Sequence, residues 1–259
     1  MPSTVESPLH WNYWATIIYI FGMFGYLTID TINYLFAPVD DDFILFVHTC
    51  LTILFVIDAI LYTIDWYMTA VRLRENKDEP VHYRSELIAC IFQNLGSYLY
   101  LLSALLLFDK SAYMELVLLF QFFGTTAFVI ESCFVFLGWR ISFRRKPSTN
   151  PKRGCVSQDV SMWAHIFYII ASLFYLCATS LAYRIYSHLN VIHPNGVLIL
   201  LMLGDFFYLF DAYLYYECWK RDKQEYDANT EQQNLMQLNV VKQLTTENYS
   251  YNHSIDEDS

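Results

Sequence analysis

Asp58-Ala59-Ile60-Leu61-Tyr62-Thr63-Ile64-Asp65-Trp66 decides how this chain is read, because most of it returns as Asp211-Ala212-Tyr213-Leu214-Tyr215-Tyr216-Glu217-Cys218-Trp219. Five of the nine positions are identical: the acid, the Ala, the Leu, the Tyr and the closing Trp. A weaker third copy, Glu131 to Trp139, keeps an acid and a Trp eight residues on. Each copy closes a long apolar run, and basic residues follow it. An acid, then an aromatic anchor, then cations after a run that shuns water is the pattern of a membrane helix reaching the cytosolic headgroups.

Outward from these three ends the chain resolves into six apolar windows. Hydrophobic residues make up 55% of the 259 and charged residues only 16%, against about a quarter charged in ordinary soluble domains. Windows of twenty or more residues are nearly free of charge, long enough to cross the roughly 30 Å hydrocarbon layer. The reading is an all-α integral membrane protein of six transmembrane helices arranged as three hairpins, residues 14–67, 86–139 and 161–219. They form one membrane domain over residues 14–220, between a short N-terminal segment (1–13) and a polar, acidic tail (221–259). The tail has few apolar residues and is expected to be disordered, since it cannot bury enough surface to offset its conformational entropy.

Fourteen of the 16 Lys and Arg residues fall in the loop between helices 2 and 3, the loop between helices 4 and 5, and the tail; only Lys110 and Arg184 lie on the other side. The positive-inside rule therefore puts both termini in the cytosol, in the plasma membrane or an endomembrane. The six tryptophans, Trp11, Trp14, Trp66, Trp139, Trp163 and Trp219, fall at the same, inner ends, where indole rings favour the headgroup interface. No basic segment precedes the first apolar run, which is too long for a signal peptide, so it is expected to stay uncleaved and to serve as its own insertion signal.

Helix 1 over Trp14–Tyr34 aligns without gaps on helix 5 over Trp163–Tyr183, with eight identities in 21 positions. Helix 3 joins more weakly through Ala89, Ile91, Gly96, Tyr100 and Leu101. Three hairpins of period near 75 residues are the expected internal repeat.

If the repeat is real, Asp58, Glu131 and Asp211 lie at one depth, about 12 Å inside their tryptophans at 1.5 Å per residue. Facing inward they would form a carboxylate ring, a cation or proton site. Tyr62 and Tyr215, four residues on, share the helical face of their acids and could hydrogen-bond them. Asp205 is a further acid at depth. The competing reading is structural: each acid satisfied by a neighbouring hydroxyl or backbone group. Asp30 and Arg184 both lie in the outer third and could tie hairpin 1 to hairpin 3. His48 and His165 lack metal-ligand spacing and read as packing histidines. The six cysteines are scattered singly. No metal, cofactor, catalytic constellation or nucleic-acid surface is expected, nor an enzyme.

Three function classes remain, the least favoured being an intramembrane enzyme, for which paired catalytic residues are missing. The deep acids favour a transporter or channel for a small solute or cation. Helices with no internal proline and short outer loops favour a non-catalytic scaffold, whose partner would be another membrane protein or a second copy of this chain. Either sits in the lipid bilayer, and the basic 140–153 loop has the charge to hold anionic lipid headgroups.

Overall fold

The computed structural model describes residues 10–36, 41–75, 82–108, 114–145, 160–189 and 194–256. All six elements are α-helices: α1 His10–Leu35, α2 Asp41–Glu75, α3 His82–Leu107, α4 Met114–Arg145, α5 Val160–Leu189 and α6 Pro194–Asp256. Glu115 in the first turn of α4 sits at the positive end of that helix's dipole. Pro194 opens α6 at a position where its missing N–H costs nothing.

Each helix carries an apolar stretch of 23 to 30 residues, at or above the ~20 needed to span a bilayer. The distribution of burial is what a lipid environment demands. Large apolar side chains face outward, Phe21 at 66% and Phe46 at 59% exposure, while Asp205 and Asp211 at 0% are sealed inside. In water such an exterior would be a continuous aggregation surface. This is a multi-pass membrane protein.

Two units divide the chain, residues 1–218 and 219–259. In the first, α1 packs on α2, α2 on α3, α3 on α4 and α4 on α5. Hydrogen bonds from α5 to α6 and from α1 to α6 complete a closed ring of six. Small residues let the helices approach: Ala59, Ala89, Ala164, Ala171, Ala178 and Ala212 have no exposed surface. The second unit is helical through Asp256, and within it Lys223 lies over the Trp219 ring at 5.4 Å.

That unit differs from the expected disordered tail. Low hydrophobicity argues against a packed core, but it does not oppose helix. From Asp205 to the C-terminus there is no Gly or Pro, and Glu, Gln, Lys, Leu and Met are good helix formers. Helix ends also overrun the hydropathy windows: α2 continues to Glu75, α4 to Arg145 and α5 to Leu189. Hydropathy measures the thickness of lipid crossed, not the length of helix. Residues 1–9, the turn at 37–40 and most of the basic loop (146–153) lie outside the described residues.

Candidate functional site

The three repeated acids are buried, and each receives a donor from a neighbouring helix. The Tyr19 hydroxyl on α1 donates to Asp211 Oδ2 on α6 at 3.4 Å. Gln93 Nε2 on α3 donates to Asp58 Oδ2 on α2 at 3.3 Å. The Tyr168 hydroxyl on α5 donates to the Glu131 carboxyl on α4. In each case an even-numbered helix supplies the acid, and the next odd-numbered helix round the ring supplies the donor. Glu131 lies within electrostatic range of both Asp58 and Asp211.

Tyr215 does not serve as the partner of Asp211. Its hydroxyl is 2.6 Å from His165 Nδ1, so the same-face pairing expected from the four-residue spacing is corrected. Tyr62 lies near Cys90 and Glu131. A shared helical face brings two side chains to the same neighbour but stacks them a turn apart in depth. The partner at the acid's own depth comes from the adjacent helix. Asn94 shows the same geometry, donating to Thr63 Oγ1 across the α2–α3 seam at 2.7 Å.

Two turns nearer the odd-to-even connections, Tyr26, Tyr100 and Tyr175 point inward from α1, α3 and α5. They line two spaces at once: a small one of about 60 Å³ toward the acids, and a large cavity of about 840 Å³ beyond them. Tyr26 shares a hydrogen bond with Thr52 at 2.6 Å, and Tyr175 donates to Asp205. Thr125 on α4 is instead bonded to Thr179 at 3.0 Å, and the buried Tyr100 hydroxyl has no hydrogen-bond partner among the described residues.

The large cavity is lined from all six helices and reaches the bundle end where α1, α3 and α5 hand over to α2, α4 and α6, at Asp42, Leu107, Met114, Tyr186 and Val197. Its polar wall holds Asn33, Gln121 and the pair Asp30 and His48, whose Oδ1 and Nε2 are 3.2 Å apart. Among the described residues that line it there is no Lys or Arg. Asp205 faces Asp30 from α6 but lines neither space; nor do Glu131 and Asp211, so of the three repeated acids only Asp58 borders one.

Asp30 therefore pairs with His48, not with Arg184, and His48 belongs to the cavity wall. The signal was in the sequence. In an antiparallel hairpin, residues equidistant from the turn meet, and Asp30 and His48 each stand nine residues from Val39, as Tyr26 and Thr52 each stand thirteen. Depth alone, without that register, grouped Asp30 with Arg184.

A cavity of this size is within the roughly 300–1,000 Å³ range of small-molecule sites. It reaches one end of the bundle and has a floor of three tyrosine rings, beneath which lies the layer of acid–donor bonds. No family model, curated protein or solved structure matches this chain.

Proposed function

We propose that the protein is a carrier for a small solute or cation, built from three repeated hairpins, with both termini in the cytosol. One observation carries this reading: a large cavity with polar groups in its wall lies among all six helices and reaches one end of the bundle, while acid–donor contacts cross the hairpin seams beneath it. Carriers need a site that can be open to one side and closed to the other, and a closing layer that can come apart. Hydrogen bonds at 3.3–3.4 Å are at the long, weak end of the range, which suits a gate better than a permanent strut.

The repeat is supported by the register of the contacts. Tyr19, Gln93 and Tyr168 occupy one step of the odd-helix alignment; Asp58, Glu131 and Asp211 occupy one step of the even. Phe55 packs on Gly22 as Phe128 packs on Gly96, and Tyr208 clusters with Ala171, the residue at the same step. The cytosolic assignment rests on the 14-to-2 division of Lys and Arg, which puts the cavity mouth on the non-cytosolic side. In this reading the protein moves its ligand without making or breaking covalent bonds.

The test is thermal stability of purified protein across a panel of small solutes and cations, with flux in proteoliposomes for any that bind. A ligand that binds only the folded protein raises stability by about 2.7 kcal/mol at a hundredfold excess over its Kd. The expected result is a stabilising ligand whose effect is lost in Asp30→Asn and which crosses the membrane. The unbroken run of each helix supports a second reading, a scaffold for another membrane protein. On that reading no solute stabilises the protein and none crosses.

A further inference from the structure

We infer that the small inner space is a site for a partly dehydrated monovalent cation, held by the Asp58 carboxylate, the Gln93 side-chain carbonyl and the Tyr100 hydroxyl. The inference deepens the carrier reading by naming the ion its buried carboxylate would hold; the chemistry of the space stands without it.

Size decides the class of occupant first. About 60 Å³ is several times the roughly 10–15 Å³ that one water needs, and far below the ~300 Å³ at which organic ligand sites begin. An ion with a water or two fits; an organic solute does not.

The lining decides the charge. Asp58 borders the space, together with Gln93, Ser97 and Tyr100, and no Lys, Arg or His is among the described residues that line it. A carboxylate in such a place must be met by a cation or a proton. Two other residues that line the space also have oxygen to offer. Gln93 spends its amide N–H on Asp58 at 3.3 Å, which leaves its carbonyl oxygen buried without a hydrogen-bond partner among the described residues. Tyr26 and Tyr175 have spent their hydroxyls on Thr52 and Asp205. Tyr100 at the equivalent step has not, because Thr125 is turned to Thr179. Carboxylate, amide carbonyl and hydroxyl oxygens are the ligands hard cations take. A single lining carboxylate balances one positive charge. Calcium sites, by contrast, take six to eight oxygens, typically with several carboxylates among them. The departure of hairpin 2 from its siblings thus falls where an ion would use it.

The test follows unfolding of the purified full chain in sodium, lithium or potassium chloride against N-methylglucamine chloride, at one ionic strength and one pH. The expected result is a saturable rise in Tm with one of the small ions. Asp58→Asn abolishes that rise, and Tyr100→Phe, which removes one oxygen, weakens the apparent affinity about tenfold. Asp211→Asn, whose acid does not line the space, keeps it. Should Asp58→Asn fail to fold, the Tyr100→Phe titration decides alone. A stability that responds to pH but to no particular ion means that a proton and water occupy the space, and overturns the inference. So does an ion response that Tyr100→Phe leaves unchanged. A protein that binds the ion but moves no solute fails the carrier reading and not this one.

Discussion

Tyr19 on the first helix reaches Asp211 on the last at 3.4 Å, and through that contact the ring of helices closes. The same step on α3, Gln93, reaches Asp58, and on α5, Tyr168 reaches Glu131. In lipid there is no hydrophobic force between helices, so polar contacts and close packing must hold the seams. In the carrier reading proposed above, the acid layer is both seam and gate.

Removing one donor tests the seam. Tyr19→Phe keeps the ring, which packs edge-on against Phe55 at 5.8 Å, and deletes only the hydroxyl. Asp211 Oδ1 already has no hydrogen-bond partner among the described residues, so the loss strips the carboxyl of the donor on its other oxygen. A fall in unfolding free energy of about 1 kcal/mol is expected, at the low end of the cost of orphaning a buried acceptor. Chemical denaturation of wild type and variant in the same detergent measures it, and no change would mean that the contact holds nothing.

Glycines on the even helices make room for the tyrosine layer. A Cβ at Gly124 would stand 2.7 Å from the Tyr100 ring, and one at Gly204 2.5 Å from the Tyr175 ring. Gly124→Ala and Gly204→Ala should each cost about 1–3 kcal/mol, the usual range for overpacking, by forcing the tyrosines off their positions. Gly196 meets nothing within 4 Å. Gly196→Ala is the matched control, expected to be neutral or to stabilise by up to about 1 kcal/mol. Equal melting temperatures for the three variants would contradict the packing described.

The class of protein was legible in the sequence, and the details of the site were legible only in part. Hydropathy windows located all six helices because lipid imposes length and apolarity on any span. The acids at 58, 131 and 211 stood out because buried charge is costly and rarely repeated. Their partners did not, since Tyr19, Gln93 and Tyr168 lie on other helices and the spacing along one helix is silent about its neighbours. The helix described through Asp256 was not legible from composition, which reports whether a segment can build a core, a different property from helix propensity. The Asp30–His48 pair needed hairpin register, which the turn at 37–40 could have supplied.

Asp30 and His48 offer a further test. Their side chains, 3.2 Å apart, join α1 to α2 in the cavity wall. A double-mutant cycle of Asp30→Asn and His48→Ala should give a coupling of about 0.5–3 kcal/mol, the range for residues in direct contact. The same cycle between Asp30→Asn and Arg184→Ala should come within about 0.5 kcal/mol of additivity. A larger coupling to Arg184 than to His48 would restore the tie first expected from depth.

The most direct measurement of the central claim is sidedness of access to the cavity. With the six native cysteines replaced, Gln121→Cys puts a single thiol on the wall of the large cavity. A membrane-impermeant thiol reagent should label it from the non-cytosolic side and not from the cytosolic side. Adding Asp58→Asn, Glu131→Gln and Asp211→Asn should loosen the closing layer and admit the reagent from the cytosol as well. Labelling from neither side, or sidedness unchanged in the triple variant, would contradict a gated carrier.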